Sequence, residues 1–449
     1  MASPQSPSRI ALFGNVNTEE ILARHLVREG SVVDGYLRFP NDAFARVCSN
    51  VRILTDEYMG TDLVRDLMAE SYDAIHLGPD FIVPMVSNVL RDAGIPHVGA
   101  TPEQIAYETD KRLIHEVFPD SAGILAPSLT LTAGTEEELR DALASVGSDF
   151  VLKFVGDYTQ KYSGSPVGRV RFSGETIGDF ADTLEFVRNS IEVSGGCIIE
   201  KRIAGREFSA NYAVDGNGSM FRLGENICYK RRGNGNTGPM CDGCGSVTID
   251  NSLPFLDQAD IAFIEERIVR PFAEHVRAHT GVPLRALLNL DLMKTEEGGI
   301  VLFEINCREA GGHTMASILP LLETRLTDIM ICTQNDCLTD MVPSFASGAT
   351  VVVSAFPHYF PAGPPAGEEL MVLEVSKTLP EGVDLYTGWV EVIAESDTAR
   401  TLRLFNSPSL LFACSRTTMD AAHRDIYEAI EQVVQGRLDY RTDIGTPGV

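Results

Sequence analysis

Three oxygen-bearing side chains, Asp291, Glu304 and Asn306, stand on two apolar runs, Asn289-Leu290-Asp291-Leu292-Met293 and Val301-Leu302-Phe303-Glu304-Ile305-Asn306. A turn over Lys294–Gly299 joins the two runs as a hairpin. Because side chains on a strand alternate faces, Glu304 and Asn306 point the same way and Asp291 meets them from the neighbouring strand. Such a cup suits Mg2+, which takes near-octahedral oxygen coordination and is held by one or two carboxylates while phosphates and water complete the shell. The chemistry to expect is phosphoryl transfer.

Other pieces belong to the same chemistry. Lys153 lies on the strand-like run Phe150–Phe154, and the glycine-bearing stretch Lys161–Gly168 has amides that could close on phosphates. Cys197–Arg202 ends a further strand and Phe208–Val214 begins the next, with Glu207 at its start. Basic residues cluster at Lys201-Arg202 and at Lys230-Arg231-Arg232, where an anionic ligand could be met within an acidic chain. Cys307 alternates away from the cup into a core, and Cys241-x-x-Cys244 is half a zinc pattern without a second half.

The elements that must position these groups read as α/β. Arg9–Asn15 is a strand ending in a glycine turn, followed by a helix to about Arg28, and Tyr72–Asp80 repeats the form. Residues 1–100 are therefore expected to form a Rossmann-like domain, although no G-x-G-x-x-G fingerprint is present. Residues 101–347 are expected to form the central domain, and 348–449 a small α+β domain that ends in a frayed tail from Asp439. A helix is expected over Asp257–Ala278 and another over Thr417–Gln435.

The 449 residues carry a formal charge of −26, which argues against nucleic acid or an anionic membrane as partner, since both are held by Lys and Arg. With 44% hydrophobic residues the chain can fill several cores. Nine cysteines without a repeated spacing predict free thiols in a reducing compartment, and the polar N-terminus lacks a secretory apolar run, so a cytoplasmic location is expected.

Taken in order, these motifs resemble the ATP-grasp family. The resemblance implies an ATP-grasp fold with about 125–200 of the 101–347 domain as a mobile lid subdomain, ATP and Mg2+ as cofactors, and small-molecule substrates, with a homodimer as an open expectation. It implies that Lys111 and Lys153 contact phosphates, that Lys161, Gly164, Ser165 and Gly168 form the phosphate-covering loop, and that Glu200, Lys201 and Ile203 hold adenine. Glu207 falls on the ribose position, Asp291, Glu304 and Asn306 on the metal ligands, and Arg308 on the arginine that meets the transferred phosphate or acyl oxygen.

Within that superfamily, Leu77-Gly78-Pro79-Asp80 and Tyr229–Pro239 resemble the GPE turn and the HKR…DTGP loop of glycinamide ribonucleotide synthetases. Two departures stand out. Glu309-Ala310-Gly311-Gly312-His313 replaces that family's F-G-D-P-E, and Asn236 replaces the Asp of DTGP. Arg-x-x-Gly-Gly instead resembles ligases joining a free carboxylate to an amine, including natural-product peptide ligases of the pheganomycin type that serve antibiotic biosynthesis. The expectation is thus an ATP-dependent ligase acting on amino acids or peptides, with Arg231, Arg232, Asn236, Gly311, Gly312 and His313 on the substrate. A phosphoribosylamine–glycine ligase is the alternative, and a non-catalytic ATP-binding regulator the third reading.

Overall fold

The computed structural model describes residues 7–15, 17–78, 82–119, 123–156, 180–388, 390–435 and 437–446. The first hundred residues build a four-stranded parallel sheet in the order Asn50–Ile53, Val32–Leu37, Arg9–Phe13, Ala74–Leu77. Arg9–Phe13 and Ala74–Leu77 are almost wholly buried because helices such as Asn17–Arg28 and Val83–Asp92 pack against them, whereas Asn50–Ile53 at the edge is largely exposed.

The next helix, Pro102–Thr109, starts where Thr101 accepts from the Gln104 amide and the Gln104 side chain accepts from the Thr101 amide. It leads to a small antiparallel sheet of Ser128–Leu131, Cys197–Lys201 and Phe150–Phe154. This sheet lies within the stretch expected to form the lid.

A nine-stranded sheet forms the centre of the molecule. Its order is Ile300–Asn306, Ala286–Thr295, Gly205–Val214, Met220–Gly233, Thr237–Ile249, Ala349–Phe356, Leu410–Arg416, Val383–Thr387, with Asp439–Tyr440 also paired to Ala349–Phe356. The strands of the C-terminal hundred residues therefore continue the central sheet. Val372–Ser376, Ala399–Leu404 and Val390–Glu395 form a separate three-stranded sheet.

Several expectations change. The glycine-rich stretch after Tyr229 is mostly a hairpin: Met220–Gly233 turns through residues 234–236 into Thr237–Ile249, and Asn236 takes a left-handed φ of 58° at that turn. The helix expected over Asp257–Ala278 runs as Gln258–Phe263, a π-helical turn Ile264–Val269, and Arg270–Thr280.

The described part of the tail, residues 439–446, is packed. Arg441 is buried, reaches Asp443 at 2.7 Å and stacks its guanidinium 4.8 Å from the Tyr229 ring centroid, while Ile444 enters the C-terminal core. Cys332 and Cys337 are joined as a disulfide, so those two are not free thiols. The left-handed Asp336 turns the chain back at the end of helix Leu326–Asn335 and brings their Cα atoms to 4.6 Å. Among the described residues, no helix is long and apolar enough to cross a membrane.

Candidate active site

Four adjacent strands of the central sheet carry a polar face over an apolar one. Ser209 opposes both Asn226 and Asp291, Asp291 opposes Glu304, and two residues along, Asn211 opposes Asn289, which opposes Asn306. Alternation sends Phe208, Ala210, Leu290 and Leu292 into the core beneath.

One irregularity shapes the cup. Between the pairs Asp291–Glu304 and Leu292–Leu302 the edge strand has an extra residue, Phe303. This bulge lets Leu302 fill the core while Glu304 still faces Asp291, and Phe303 lies beneath the Lys153 ammonium, 5.4 Å from its ring centroid.

The charges are paired across strands. Lys230 Nζ lies 2.8 Å from both Glu207 Oε1 and Asp291 Oδ2, and Ser209 donates to Asp291 Oδ1 at 2.8 Å. Lys111 is ion-paired with Glu304, and Lys153 donates to both Glu200 oxygens at 3.0 and 2.9 Å. Burial works against the Lys230 ammonium, yet Asp291 and then Glu207 hold its pKa well above the ordinary value. Burial likewise opposes the Asp291 carboxylate, but Lys230 and Ser209 bring its pKa below the ordinary value. Both groups stay charged at neutral pH.

Asn306 heads a relay of amides. Its Nδ2 donates to Asn289 Oδ1 at 3.0 Å, Asn289 Nδ2 to Asn211 Oδ1 at 3.0 Å, and Asn211 Nδ2 to Asn226 Oδ1 at 3.1 Å. Asn226 Nδ2 ends the chain on Ser246 Oγ at 2.8 Å and Thr314 Oγ1 at 3.2 Å. The relay fixes which way the Asn306 amide is turned: its nitrogen is engaged by Asn289, which leaves the oxygen as the atom suited to meet a cation. Asn289→Leu is expected to weaken Mg2+ binding about 10- to 100-fold, the usual cost of losing a group that orients a metal ligand. Mg2+ titration of ATP turnover measures this, and an unchanged Mg2+ dependence would show that the relay does not serve the metal.

The cup opens on a cleft between the edge strands and the small sheet, lined by Tyr107, Glu108, Lys111, Lys153, Glu200, Phe303 and Glu304 among others. Arg308 stands at its end, donating to Glu108 Oε1 at 3.0 Å and to the Glu309 carbonyl at 3.1 Å. Asp291, Glu304, Asn306, Lys111, Lys153, Glu200 and Arg308 are thus brought together. Glu207 joins them through Lys230. Lys201 and Ile203 lie beyond the lining of the cleft, Lys201 exposed with its amide on the Pro127 carbonyl at 2.8 Å. Lys161, Gly164, Ser165 and Gly168 lie outside the described residues.

The proposed substrate residues divide. Arg232 is ion-paired with Asp439 and donates to the His358 carbonyl at 3.1 Å, Arg231 donates to the Gly238 carbonyl at 2.9 Å, and Asn236 Oδ1 accepts from Arg441 at 3.4 Å. These three serve the hairpin and the C-terminal segment. His313 Nε2 lies 2.6 Å from Cys228 Sγ, over Gly243, where a Cβ would come within 2.2 Å of the ring.

Burial, with Lys230 second, pushes His313 down to about 4, and burial pushes the Cys228 thiol up to about 12. The pair is neutral, a thiol beside an imidazole rather than an activated nucleophile. Ser209, Glu108 and the asparagines behind Asn306 were not anticipated as site residues, and Lys230, read only as part of a basic cluster for an anionic ligand, instead pairs with Glu207 and Asp291. Their signal was the shared parity of Glu207, Ser209 and Asn211, of Asn226, Cys228 and Lys230, and of Asn289 and Asp291.

Residues 175–314 match the family described as Phosphoribosylglycinamide synthetase, ATP-grasp (A) domain. Among curated proteins, a phosphoribosylamine–glycine ligase of Methanothermobacter thermautotrophicus is 29% identical, covering 98% of this chain and 96% of the relative. That of Methanoregula boonei is 28% identical with the same coverage. The crystal structure of the Thermotoga maritima phosphoribosylamine–glycine ligase has a TM-score of 0.73 at 22% identity, covering 97% of this chain and 99% of that one. The biotin carboxylase domain of Hydrogenobacter thermophilus 2-oxoglutarate carboxylase, in complex with MgADP, reaches 0.64 at 13% identity, covering 96% and 90%.

These relatives overturn the peptide-ligase expectation and, with it, a role in antibiotic biosynthesis. Its physical basis also dissolves. Gly312 is small because Asn17 of the first sheet's helix packs against it, a Cβ falling 2.8 Å from Asn17 Oδ1. Glu309 is a buried partner of His76 at 3.0 Å. Gly312 reflects packing against the helix of the first sheet and Gly311 lies against the His313 ring, so the Gly pair is no signature of a peptide substrate.

The all-oxygen set of Asp291, Glu304 and Asn306 fits Mg2+, and Lys111 and Lys153 fit the phosphates that accompany it. The chain carries an ATP-grasp domain within an ATP-grasp fold, the build of ADP-forming carbon–nitrogen ligases that use ATP with Mg2+.

Proposed function

We propose that this ligase joins the carboxylate of glycine to the amine of phosphoribosylamine, with ADP and phosphate as co-products. The observation that carries the reading is relatedness along 98% of the chain to phosphoribosylamine–glycine ligases, with the carboxylate cup and both lysines on one cleft.

A carboxylate is a poor electrophile because its charge is delocalised, so it is first converted to an acyl phosphate. In the proposed sequence a glycine carboxylate oxygen attacks the γ-phosphorus and ADP leaves. Lys111 and Lys153 neutralise the phosphate oxygens as negative charge shifts toward the leaving group. Bound at Asp291, Glu304 and Asn306, Mg2+ would supply charge neutralisation on the nucleotide's phosphates. The amine then attacks the carbonyl carbon, Arg308 stabilises the oxyanion, the nitrogen loses a proton, and phosphate departs carrying one glycine oxygen.

Glu200, Lys201 and Ile203 are proposed for adenine, Glu207 for the ribose hydroxyls, and Lys161, Gly164, Ser165 and Gly168 for covering the phosphates. His313 and the amides of Gly311 and Gly312 are proposed for the acyl end, nearest Arg308. The division at about residues 100 and 347, a cytoplasmic location and a homodimeric assembly belong to the same reading.

Mass spectrometry with Mg-ATP, carboxyl-18O glycine and phosphoribosylamine tests it. The expected result is ADP, phosphate bearing 18O, and the amide-linked product mass. Formation of AMP, or no turnover of phosphoribosylamine, would overturn the reading.

A further inference from the structure

Behind Tyr107, which lines the cleft, two short helices converge on a second set of ligating side chains. Glu116 on Leu113–Val117 and His275 and His279 on Arg270–Thr280 each offer one ligand atom, all within 4.8 Å of one another. The two histidines are one helical turn apart, so they project from one face. Their rings lie parallel, 5.8 Å between centroids and 9° between planes. Tyr107 packs edge-on against both, at 5.8 and 6.3 Å. His275 Nε2 and the Tyr107 hydroxyl are both buried without a hydrogen-bond partner among the described residues. Buried polar atoms are normally satisfied, so an unserved imidazole nitrogen in a cluster of ligand residues points to a missing partner.

We propose that Glu116, His275 and His279 bind a divalent late first-row metal of the Zn2+ class, at a site separate from the Asp291–Glu304–Asn306 cup. Two imidazoles and a carboxylate form the mixed nitrogen and oxygen set that zinc accepts, with water in the fourth position. Tetrahedral zinc places its ligand atoms about 3.3 Å apart. Glu116 and His279 are exposed, so they can close the remaining gap by turning their side chains.

The two sites divide by donor chemistry. Mg2+ favours oxygen and water, so it competes poorly for imidazole, whereas zinc-class ions take imidazole readily. Bound metal would tie the helix after Thr109 to helix Arg270–Thr280. Both pack around Tyr107, just ahead of Lys111, so the metal acts as a clip behind the wall of the cleft. It touches no reacting atom.

Full-length protein titrated with Zn2+ in excess Mg2+, against a chromophoric chelator, provides the test. One equivalent per chain is expected, with a Zn2+-dependent rise in the unfolding midpoint. His279→Ala should weaken binding by about tenfold or more and lose that rise, and Glu116→Gln should weaken binding as well. Both residues are exposed, and an unchanged unfolding midpoint without Zn2+ would separate loss of a ligand from loss of the fold. Co2+ substitution should give visible d–d bands without sulfur-to-metal charge transfer. Binding unchanged in both variants, no bound equivalent, or a thiolate charge-transfer band assigning the ion to cysteines would each overturn the proposal.

Discussion

Glu304→Gln is expected to lower ATP-dependent ligation by about 10^3-fold or more while the protein stays folded. The substitution keeps the shape and one oxygen of the side chain but removes the charge that faces Asp291 across the strand pair. Charge stabilisation by a metal in phosphoryl transfer contributes several kcal/mol, and each 1.4 kcal/mol or so is a factor of ten in rate. The structural cost is read separately. Lys111 loses the charge of its partner in a partly buried pair, and unfolding reports that loss independently of turnover. ADP release followed across a Mg2+ titration, beside urea unfolding, measures both effects. Turnover within tenfold of the parent would show that Glu304 is not a metal ligand.

The cup was legible because it depends only on period-two alternation, which Leu290, Leu292, Ile305 and their polar neighbours display without ambiguity. What could not be read was register. Glu207, Lys230 and Asp291 come from three strands far apart in sequence, and only their pairing puts one ammonium against two carboxylates. The bulge at Phe303 has no local signal either, since it follows from Leu302 and Glu304 needing opposite faces. The hairpin after Tyr229 read as a loop because Gly233, Gly235, Gly238, Gly243 and Gly245 suppress strand propensity. Gly243 must be small to lie beneath His313, and Gly245 would bring a Cβ within 2.3 Å of the Val352 carbonyl on the neighbouring strand. Substrate choice was misjudged for a related reason: the Glu309–His313 stretch, with its Gly pair, was read as a change of substrate, whereas packing of Asn17 on Gly312 and pairing of His76 with Glu309 account for those two residues.

Lys230→Met is expected to destabilise the protein by about 3 kcal/mol at neutral pH, the usual scale for breaking a buried ion pair from one side. The lysine holds Asp291 and Glu207 at 2.8 Å each, so removing it leaves two carboxylates facing one another on the polar face of the sheet. The pH dependence follows from the shifts. Asp291 is depressed in the folded state, so its contribution is present above the unfolded carboxylate value and disappears as pH falls through the folded one. Lys230 is raised, so its contribution is present below the unfolded lysine value and disappears only as pH climbs through the folded one. Without the lysine, the Asp291 pKa moves up and a proton can take over part of the ammonium's role. The difference between variant and parent therefore narrows as pH falls toward the carboxylate range. A divalent cation can take over the same role at neutral pH, and because Asp291 no longer has to leave an ammonium to meet it, Mg2+ should raise the unfolding midpoint of the variant more than that of the parent. Thermal unfolding of both proteins with and without Mg2+ decides the matter. Equal Mg2+ responses would mean that Asp291 is an ion-pair partner only, and the metal would then have to rest on Glu304 and Asn306.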